Sequence, residues 1–176
     1  ELFEKDGQPA CIIAGRGYYN QTWPMDECIA DGLTRQEAIQ ALSPSRPRAA
    51  EAPFSIGVLH TGLNLDPIKA PVNPSVLMNA GMDYWACGHI HMRYLYPSKE
   101  NPRIAFSGCI QGRDIKETGT RGVMAVTLAE GAAPQLEYIP TASVVWQRLD
   151  VNVEECATLP EVGDKIMREQ FRANGK

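Results

Sequence analysis

The chain has 176 residues, of which 44% are hydrophobic and 22% charged, and its formal net charge is −4. This composition is ordinary for a folded globular domain and argues against a disordered chain. No apolar run approaches the roughly 18 residues that a membrane span needs. Five widely spaced cysteines without a C-x-x-C pair argue against a disulfide framework or a zinc ribbon. We therefore expect a cytoplasmic protein that has no membrane partner.

The first half of the chain alternates predicted strands and helices. Residues 9–14, 54–59 and 83–87 are apolar runs typical of buried strands. Thr34, with Glu37 three residues later, forms the capping-box pattern that begins a helix over 34–42. A second, shorter helix begins at Asn73-Pro74 and ends at Gly81.

Strand signals dominate the second half. The predicted strands are 103–107, 122–128, 135–139 and 144–153, and a final helix is predicted over 160–171. Strands with helices early in the chain, followed by strand after strand, predict an α/β fold with a mixed sheet.

The chain has three histidines, His60, His89 and His91, and each follows a predicted strand close to a glycine. In open α/β sheets, ligands bind beyond the carboxyl ends of the strands. Glycine allows the backbone to turn tightly and to come close to an ion. Neutral imidazole is the commonest nitrogen ligand of metals in proteins. One such histidine is more often structural, but three in the same setting favour a metal site.

Other chemistries require residues that the sequence supplies only in part. A Ser-His-Asp hydrolase needs a G-x-S-x-G elbow, which the sequence lacks. The glycines at 15 and 17 have no third glycine to complete a dinucleotide fingerprint. A cysteine nucleophile at Cys87 or Cys109 is an alternative, although a free cysteine in an apolar strand such as that of Cys87 usually acts as a small hydrophobic residue. A mononuclear zinc site with three histidine ligands also stays open on the residues alone.

Two histidine motifs carry a resemblance to a known family. Gly88-His89-Ile90-His91, with Leu59-His60-Thr61-Gly62 upstream, resembles the second half of the calcineurin-like metallophosphoesterases. The surrounding residues 83–91, and 106–119 with its Q-G-R and E-T-G groups, resemble the bacterial DNA repair exonucleases of the YhaO/SbcD type. The resemblance extends over roughly residues 10–155.

The resemblance implies half of a metallophosphoesterase α-β-β-α sandwich with a mixed sheet. The family's D-x-H, G-D-x-x-D and G-N-H-[DE] segments, which supply further metal ligands, do not occur in this sequence. Together with the missing initiator methionine, this leads us to expect a fragment. Residues 1–142 would be the C-terminal part of the phosphoesterase domain, and 143–176 the beginning of a truncated DNA-capping region.

The same resemblance implies the roles of individual residues. His60 and His89 would ligate one of two divalent ions and His91 the other, with Mn²⁺ the expected metal and Zn²⁺ or Fe²⁺ as alternatives. Such a pair generates a hydroxide and clamps the phosphate oxygens of an in-line displacement. Arg113 and Lys116 would bind backbone phosphates of DNA. The alternative for these two side chains is an ion pair with a neighbouring acidic residue.

The function expected from the resemblance is that of a metal-dependent DNA repair exonuclease. Its expected partners are DNA, an SbcC-like ATPase and a second copy of the chain. Residues 93–121 hold six Lys/Arg against three Asp/Glu, a basic stretch that could meet a polyanion on an acidic protein. Two alternatives stay open: a phosphoesterase acting on nucleotides or phosphoproteins, and a non-catalytic scaffold or binding domain. The chain alone, without the carboxylate segments, is expected to be inactive.

Overall fold

The computed structural model describes residues 1–19 and 21–174. Eight strands occur in this part of the chain: β1 (Leu2–Lys5), β2 (Gln8–Arg16), β3 (Phe54–His60), β4 (Tyr84–Gly88), β5 (Tyr94–Pro97), β6 (Pro102–Phe106), β7 (Gly122–Thr127) and β8 (Gln135–Pro140). The helices are α1 (Arg35–Leu42), α2 (Pro74–Asn79) and α3 (Leu159–Asn174), with a short 3-10 helix at Ala49–Glu51. None of these helices is long and apolar enough to cross a bilayer.

Six strands form one mixed sheet in the order β1-β2-β3-β4-β6-β5. The four inner strands β2, β3, β4 and β6 are parallel. The edge strands β1 and β5 run antiparallel to their neighbours, and β7 pairs with β8 in a separate antiparallel hairpin. The predicted α/β class with a mixed sheet is therefore confirmed.

Both short helices begin as their sequences predict. In α1, the Thr34 hydroxyl accepts a hydrogen bond from the backbone N–H of Glu37 (3.1 Å), and the Glu37 carboxylate accepts one from the N–H of Thr34 (3.1 Å). In α2, the Asn73 side chain accepts from the N–H of Ser75 (3.0 Å). Gly81, which follows α2, has a φ of +75°. These contacts satisfy N–H groups that would otherwise have no partner in the first turn of each helix.

The main core lies on one face of the sheet, under α2 and the loops that precede it. Its buried residues include Ile29, Leu33, Leu59, Leu63, Leu77, Met82, Trp85, Ile104 and Phe106. A smaller cluster of Ile12, Ala49 and Ala52 packs against α1. On the opposite face, Val58 of β3 remains 43% exposed. Alternation along β3 thus directs one set of side chains into the core and the other set, which ends in His60, away from it.

Gly57 and Trp85 face each other across β3 and β4. A β-carbon at position 57 would lie 2.1 Å from Cε3 of the indole ring, so only glycine leaves room for this tryptophan. The same register pairs His60 with Gly88 at the carboxyl ends of the two strands. The register that places Gly57 opposite Trp85 therefore also places His60 beside the loop that follows β4.

The predicted strand over 144–153 is wrong, because the structure shows irregular, exposed chain there. Its polar groups bond to the loop that precedes β7 and not to a partner strand. The side chain of Gln111 donates to the carbonyl of Val144 (2.7 Å), and the Trp146 indole donates to the carbonyl of Gly112 (3.1 Å). The other predicted strands and all three predicted helices are present, whereas β1 and β5 were not predicted. The boundary between residues 142 and 143 stays a prediction.

Candidate metal centre

His60 and His89 meet at the carboxyl edge of the parallel strands. His60 is the last residue of β3, and His89 directly follows Gly88, the last residue of β4. Their ring centroids lie 5.2 Å apart, with the two planes inclined by 64°. His91 lies two residues further along the same loop. The structure thus brings the first two predicted ligands together on neighbouring strands.

The backbone of His89 lies in the left-handed region, with a φ of +106°. A residue with a β-carbon pays about 1–3 kcal/mol for such a conformation, and residues of this kind cluster at functional sites. The conformation directs the chain out of β4 immediately after Gly88. We infer that the position of the His89 side chain is important enough to be kept in spite of the strained backbone.

Asp66 binds one nitrogen of His89. Its Oδ2 lies 2.9 Å from Nε2 of the imidazole, and this hydrogen bond is the main reason that the pKa of Asp66 is lowered. Gly62 allows the approach, because a β-carbon there would lie 2.2 Å from the carbonyl oxygen of Asp66. The buried Thr61 holds the base of the same loop by donating to the carbonyl of Ala70 (2.7 Å). With Nε2 occupied, Nδ1 is the nitrogen of His89 that can bind an ion.

Glu117 binds one nitrogen of His91 in the same way. Its Oε1 lies 2.5 Å from Nδ1 of the imidazole, and its Oε2 accepts the backbone N–H of Arg113 (2.8 Å). These two bonds, that of Arg113 first, lower the pKa of Glu117. Nε2 of His91 is then the nitrogen open to an ion. A carboxylate on the second ring nitrogen is the usual support of a metal-ligating histidine, because it fixes the tautomer and the orientation of the ring.

Arg121 fastens the loop of His91 to the loop that precedes β7. Its side chain is buried, with 7% relative exposure of the residue. The guanidinium donates to three backbone carbonyls, those of His91, Glu117 (3.3 Å) and Thr118 (2.8 Å). A buried cation is costly unless it is hydrogen-bonded in this way. Because one guanidinium bonds to the carbonyls of both residues, Arg121 holds the backbones of His91 and Glu117 close to each other.

Tyr18 packs edge-on against His60, with ring centroids 5.2 Å apart. Burial raises the pKa of Tyr18, and its hydroxyl has no hydrogen-bond partner within the described residues. Burial is also the main reason that the pKa of His60 is lowered, followed by the charges of His89, His91 and Lys69. The lowered pKa favours the neutral imidazole of His60, the form in which histidine binds a metal ion.

Arg113 and Lys116, the predicted phosphate-binding residues, are both exposed on the loop that contains Glu117. Neither side chain forms an ion pair within 4.0 Å in the part of the chain that the structure describes. Their backbone N–H groups instead donate to acidic side chains of the loop, those of Glu117 and Asp114 (2.8 Å each). The salt-bridge alternative thus lacks support, and their role in phosphate binding stays a prediction.

Sequence reasoning missed several residues of this edge. Asp66, Glu117 and Arg121 were not assigned to the site, and Cys109 was considered only as a nucleophile. The partner histidine of each carboxylate lies more than twenty residues away in the chain. Local spacing therefore gives no signal for either pair. Cys87, in contrast, is buried in β4 as expected, and burial raises its pKa to about 12.

The fold and this edge define a mixed α/β protein with a candidate metal centre beyond its parallel strands. Over 115 residues, the chain is 38% identical to the uncharacterized metallophosphoesterase YhaO of Bacillus subtilis (strain 168). The match covers 64% of this chain and 28% of that relative, so the chain spans under a third of the relative's length. No model of a known protein family matches the chain. The similarity supports the calcineurin-like metallophosphoesterase resemblance, and with it a site for divalent metal ions.

Proposed function

We propose that this chain contributes the histidine ligands of a metal-dependent phosphoester hydrolase, and more narrowly of a DNA repair exonuclease with a two-metal centre. The observation that carries the proposal is the pairing of carboxylates with histidines. His89 and His91 each have one ring nitrogen bonded to an acidic side chain, which leaves the other nitrogen for an ion. His60 adds a third imidazole 5.2 Å from that of His89, measured between ring centroids.

In this proposal, His60 and His89 hold one ion and His91 holds the other. When bound, such a pair of ions supplies an activated water and holds the phosphate oxygens. The residues of this chain orient the imidazoles, because Asp66 and Glu117 each hold one ring nitrogen, and burial lowers the pKa of His60. Mn²⁺ is the proposed metal, with Zn²⁺ or Fe²⁺ as alternatives, because imidazole and carboxylate ligands together suit these ions.

The remaining ligands would come from carboxylate segments of a longer protein. Two adjacent divalent ions repel each other strongly unless an anion lies between them. In the proposed set of ligands, this chain offers only neutral imidazoles directly to the ions. We therefore propose that it folds but does not hydrolyse phosphodiesters by itself.

DNA is the proposed substrate, and Arg113 and Lys116 are its proposed phosphate contacts. Both are exposed on the loop whose Glu117 supports His91, so a phosphate bound near His91 would lie within their reach. An SbcC-like ATPase and a second copy of the chain are the proposed protein partners, and the cytoplasm is the proposed location. These finer proposals rest on the resemblance of residues 83–91 and 106–119.

Hydrolysis assays on a longer protein that contains this chain test the proposal. With Mn²⁺ present, we expect cleavage of linear duplex DNA and of bis(p-nitrophenyl) phosphate, and loss of both activities in His60→Ala and His89→Ala. Asp66→Asn should lower the rate about 10- to 100-fold, the usual effect of removing the support of a metal ligand. Asp150→Asn, which changes a highly exposed carboxylate in the irregular chain after β8, is the matched control.

The alternatives predict different outcomes of the same assays. Cleavage of nucleotides or phosphoproteins but not of DNA would favour the other class of phosphoesterase. Metal binding without any hydrolysis would favour a scaffold. Turnover that persists in His89→Ala would contradict the proposed centre altogether.

A further inference from the structure

We propose that His91, Cys109 and Glu117 form a binding site for a thiophilic divalent ion, zinc above all, that is contained within this chain. The three residues each offer one ligand atom, and these atoms all lie within 4.8 Å of one another. Nothing in the proposed function uses Cys109, and there Glu117 only supports His91. The inference shares one metal ligand, His91, with the proposed function and assigns Cys109 and Glu117 as two further ligands.

The backbone brings the thiol to the histidine. Gly108 has a φ of +81°, and a β-carbon there would lie 2.7 Å from the carbonyl oxygen of His91. Glycine at 108 thus permits a close approach that another residue would prevent. The N–H of Cys109 donates to the same carbonyl (3.3 Å), and Sγ lies 3.7 Å from it. The main chain therefore holds Cys109 beside His91, and an ion bound by all three donors would replace the hydrogen bond between His91 and Glu117.

The donor set selects the type of ion. Imidazole nitrogen, cysteine sulfur and carboxylate oxygen are all common zinc ligands, whereas Mn²⁺ favours oxygen and rarely takes a thiolate. Three protein ligands leave a fourth tetrahedral position for water, which is the arrangement of catalytic rather than structural zinc sites. A thiolate and a carboxylate together also balance the charge of a divalent ion, after the thiol has released its proton to solvent.

The surroundings leave the site open to an ion. The His91 side chain is 52% exposed and can be reached from solvent, whereas the Glu117 side chain is only 14% exposed and is held in place by its neighbours. Among the described residues, the guanidinium of Arg121 donates to backbone carbonyls alone, so it does not compete for the carboxylate oxygens of Glu117. An ion can therefore enter from solvent while the hydrogen bonds of the buried Arg121 stay in place.

Zinc binding by the purified 176-residue chain tests the inference without any measurement of turnover. Affinity is measured by competition with a chromogenic chelator, and Co²⁺ is added in parallel to detect a thiolate-to-metal charge-transfer band. We expect one ion per chain and a clear band. Cys109→Ser should remove the band and weaken zinc binding by more than about tenfold, since even loss of an outer-shell partner costs about 10- to 100-fold.

Two control variants separate this site from the one in the proposed function. Cys156→Ser changes a partly buried free cysteine near α3 and should alter neither affinity nor band. His89→Ala removes a ligand used only by the proposed two-metal centre and should leave zinc binding intact. Urea unfolding of each variant confirms that it folds. X-ray absorption at the zinc edge of the unmodified chain provides a readout that needs no variant, with one Zn–S distance of about 2.3 Å expected.

The outcomes distinguish the two proposals. Zinc affinity and band unchanged in Cys109→Ser, or an absorption spectrum without sulfur, would overturn this inference. Zinc binding lost in His89→Ala but kept in Cys109→Ser would also overturn it, while supporting the histidine centre of the proposed function. Sulfur-ligated zinc in this chain, together with no phosphoester hydrolysis by a longer protein that contains it, would support the inference and contradict the proposed function.

Discussion

Replacing His89 by glycine, and separately by alanine, measures how much conformational strain the chain tolerates at this histidine. Both substitutions remove the imidazole and its hydrogen bond with Asp66. They differ only at the β-carbon, which alanine keeps and glycine lacks. The difference in stability between the two variants therefore reports on the backbone of residue 89, whose φ is +106°.

The expected difference follows from two opposing terms. A residue with a β-carbon in this region costs about 1–3 kcal/mol, which glycine recovers. Glycine also gives the unfolded chain more freedom, which lowers stability by about 0.4–1 kcal/mol. We expect His89→Gly to be as stable as His89→Ala or more stable, by up to about 2.6 kcal/mol, although glycine is normally the less stable residue.

The assay is urea denaturation followed by tryptophan fluorescence, with a chelator present so that no ion contributes. The same pair of substitutions at His91 is the matched control, because its φ is not positive. There alanine should be the more stable variant, by about 0.4–1 kcal/mol. If glycine is also the less stable residue at position 89, by the same margin as at position 91, the argument from strain is refuted.

Four further predictions follow from contacts at the same edge. Tyr18→Phe removes a buried hydroxyl without a partner in the described chain, so the free energy of unfolding should stay the same or rise by up to about 1 kcal/mol; a loss of that size would contradict the assignment. Arg121→Met should cost about 2–4 kcal/mol in urea unfolding, because three carbonyls lose their donor. Arg113→Ala, in a longer protein that binds DNA, should weaken binding by a similar factor for all DNA sequences. It should also lower the slope of log K against log salt concentration by about one phosphate contact, and an unchanged slope would rule out this contact. The pKa of Glu117 in the folded chain is below its usual value of 4.5, so its contribution to stability is present above pH 4.5 and is lost as the pH falls through the folded pKa. Glu117→Gln should therefore reduce the loss of stability between about pH 5 and pH 3, measured by urea unfolding.

The sequence predicted those elements whose signals are local. The capping box of α1, the Asn-Pro start of α2 and the apolar runs of β2, β3 and β4 each depend on residues a few positions apart, and all are present. The strand predicted over 144–153 failed because β-branched residues indicate a strand only where a partner strand is available. Here the loop that precedes β7 donates hydrogen bonds to the carbonyls of Val144 and Trp146 instead.

Some residues of the candidate site could likewise be predicted from local sequence, and others could not. The histidines could be found because each directly follows a strand, and parallel strands gather their carboxyl ends at one edge. Asp66 and Glu117 could not be found, because their contacts to His89 and His91 span 23 and 26 residues. Edge strands β1 and β5 are likewise defined by antiparallel pairing with β2 and β6 rather than by their own four-residue sequences.

The contact between Gly57 and Trp85 has a consequence for how this chain can evolve. A larger side chain at position 57 would displace the indole or shift β3 against β4, and a one-residue shift would turn His60 away from His89. Loss of the centre could therefore arise from a substitution three residues before the first ligand, without any change to a histidine. Among relatives of this protein, positions 57 and 85 should covary, with any residue larger than glycine at 57 accompanied by a smaller ring or an aliphatic side chain at 85.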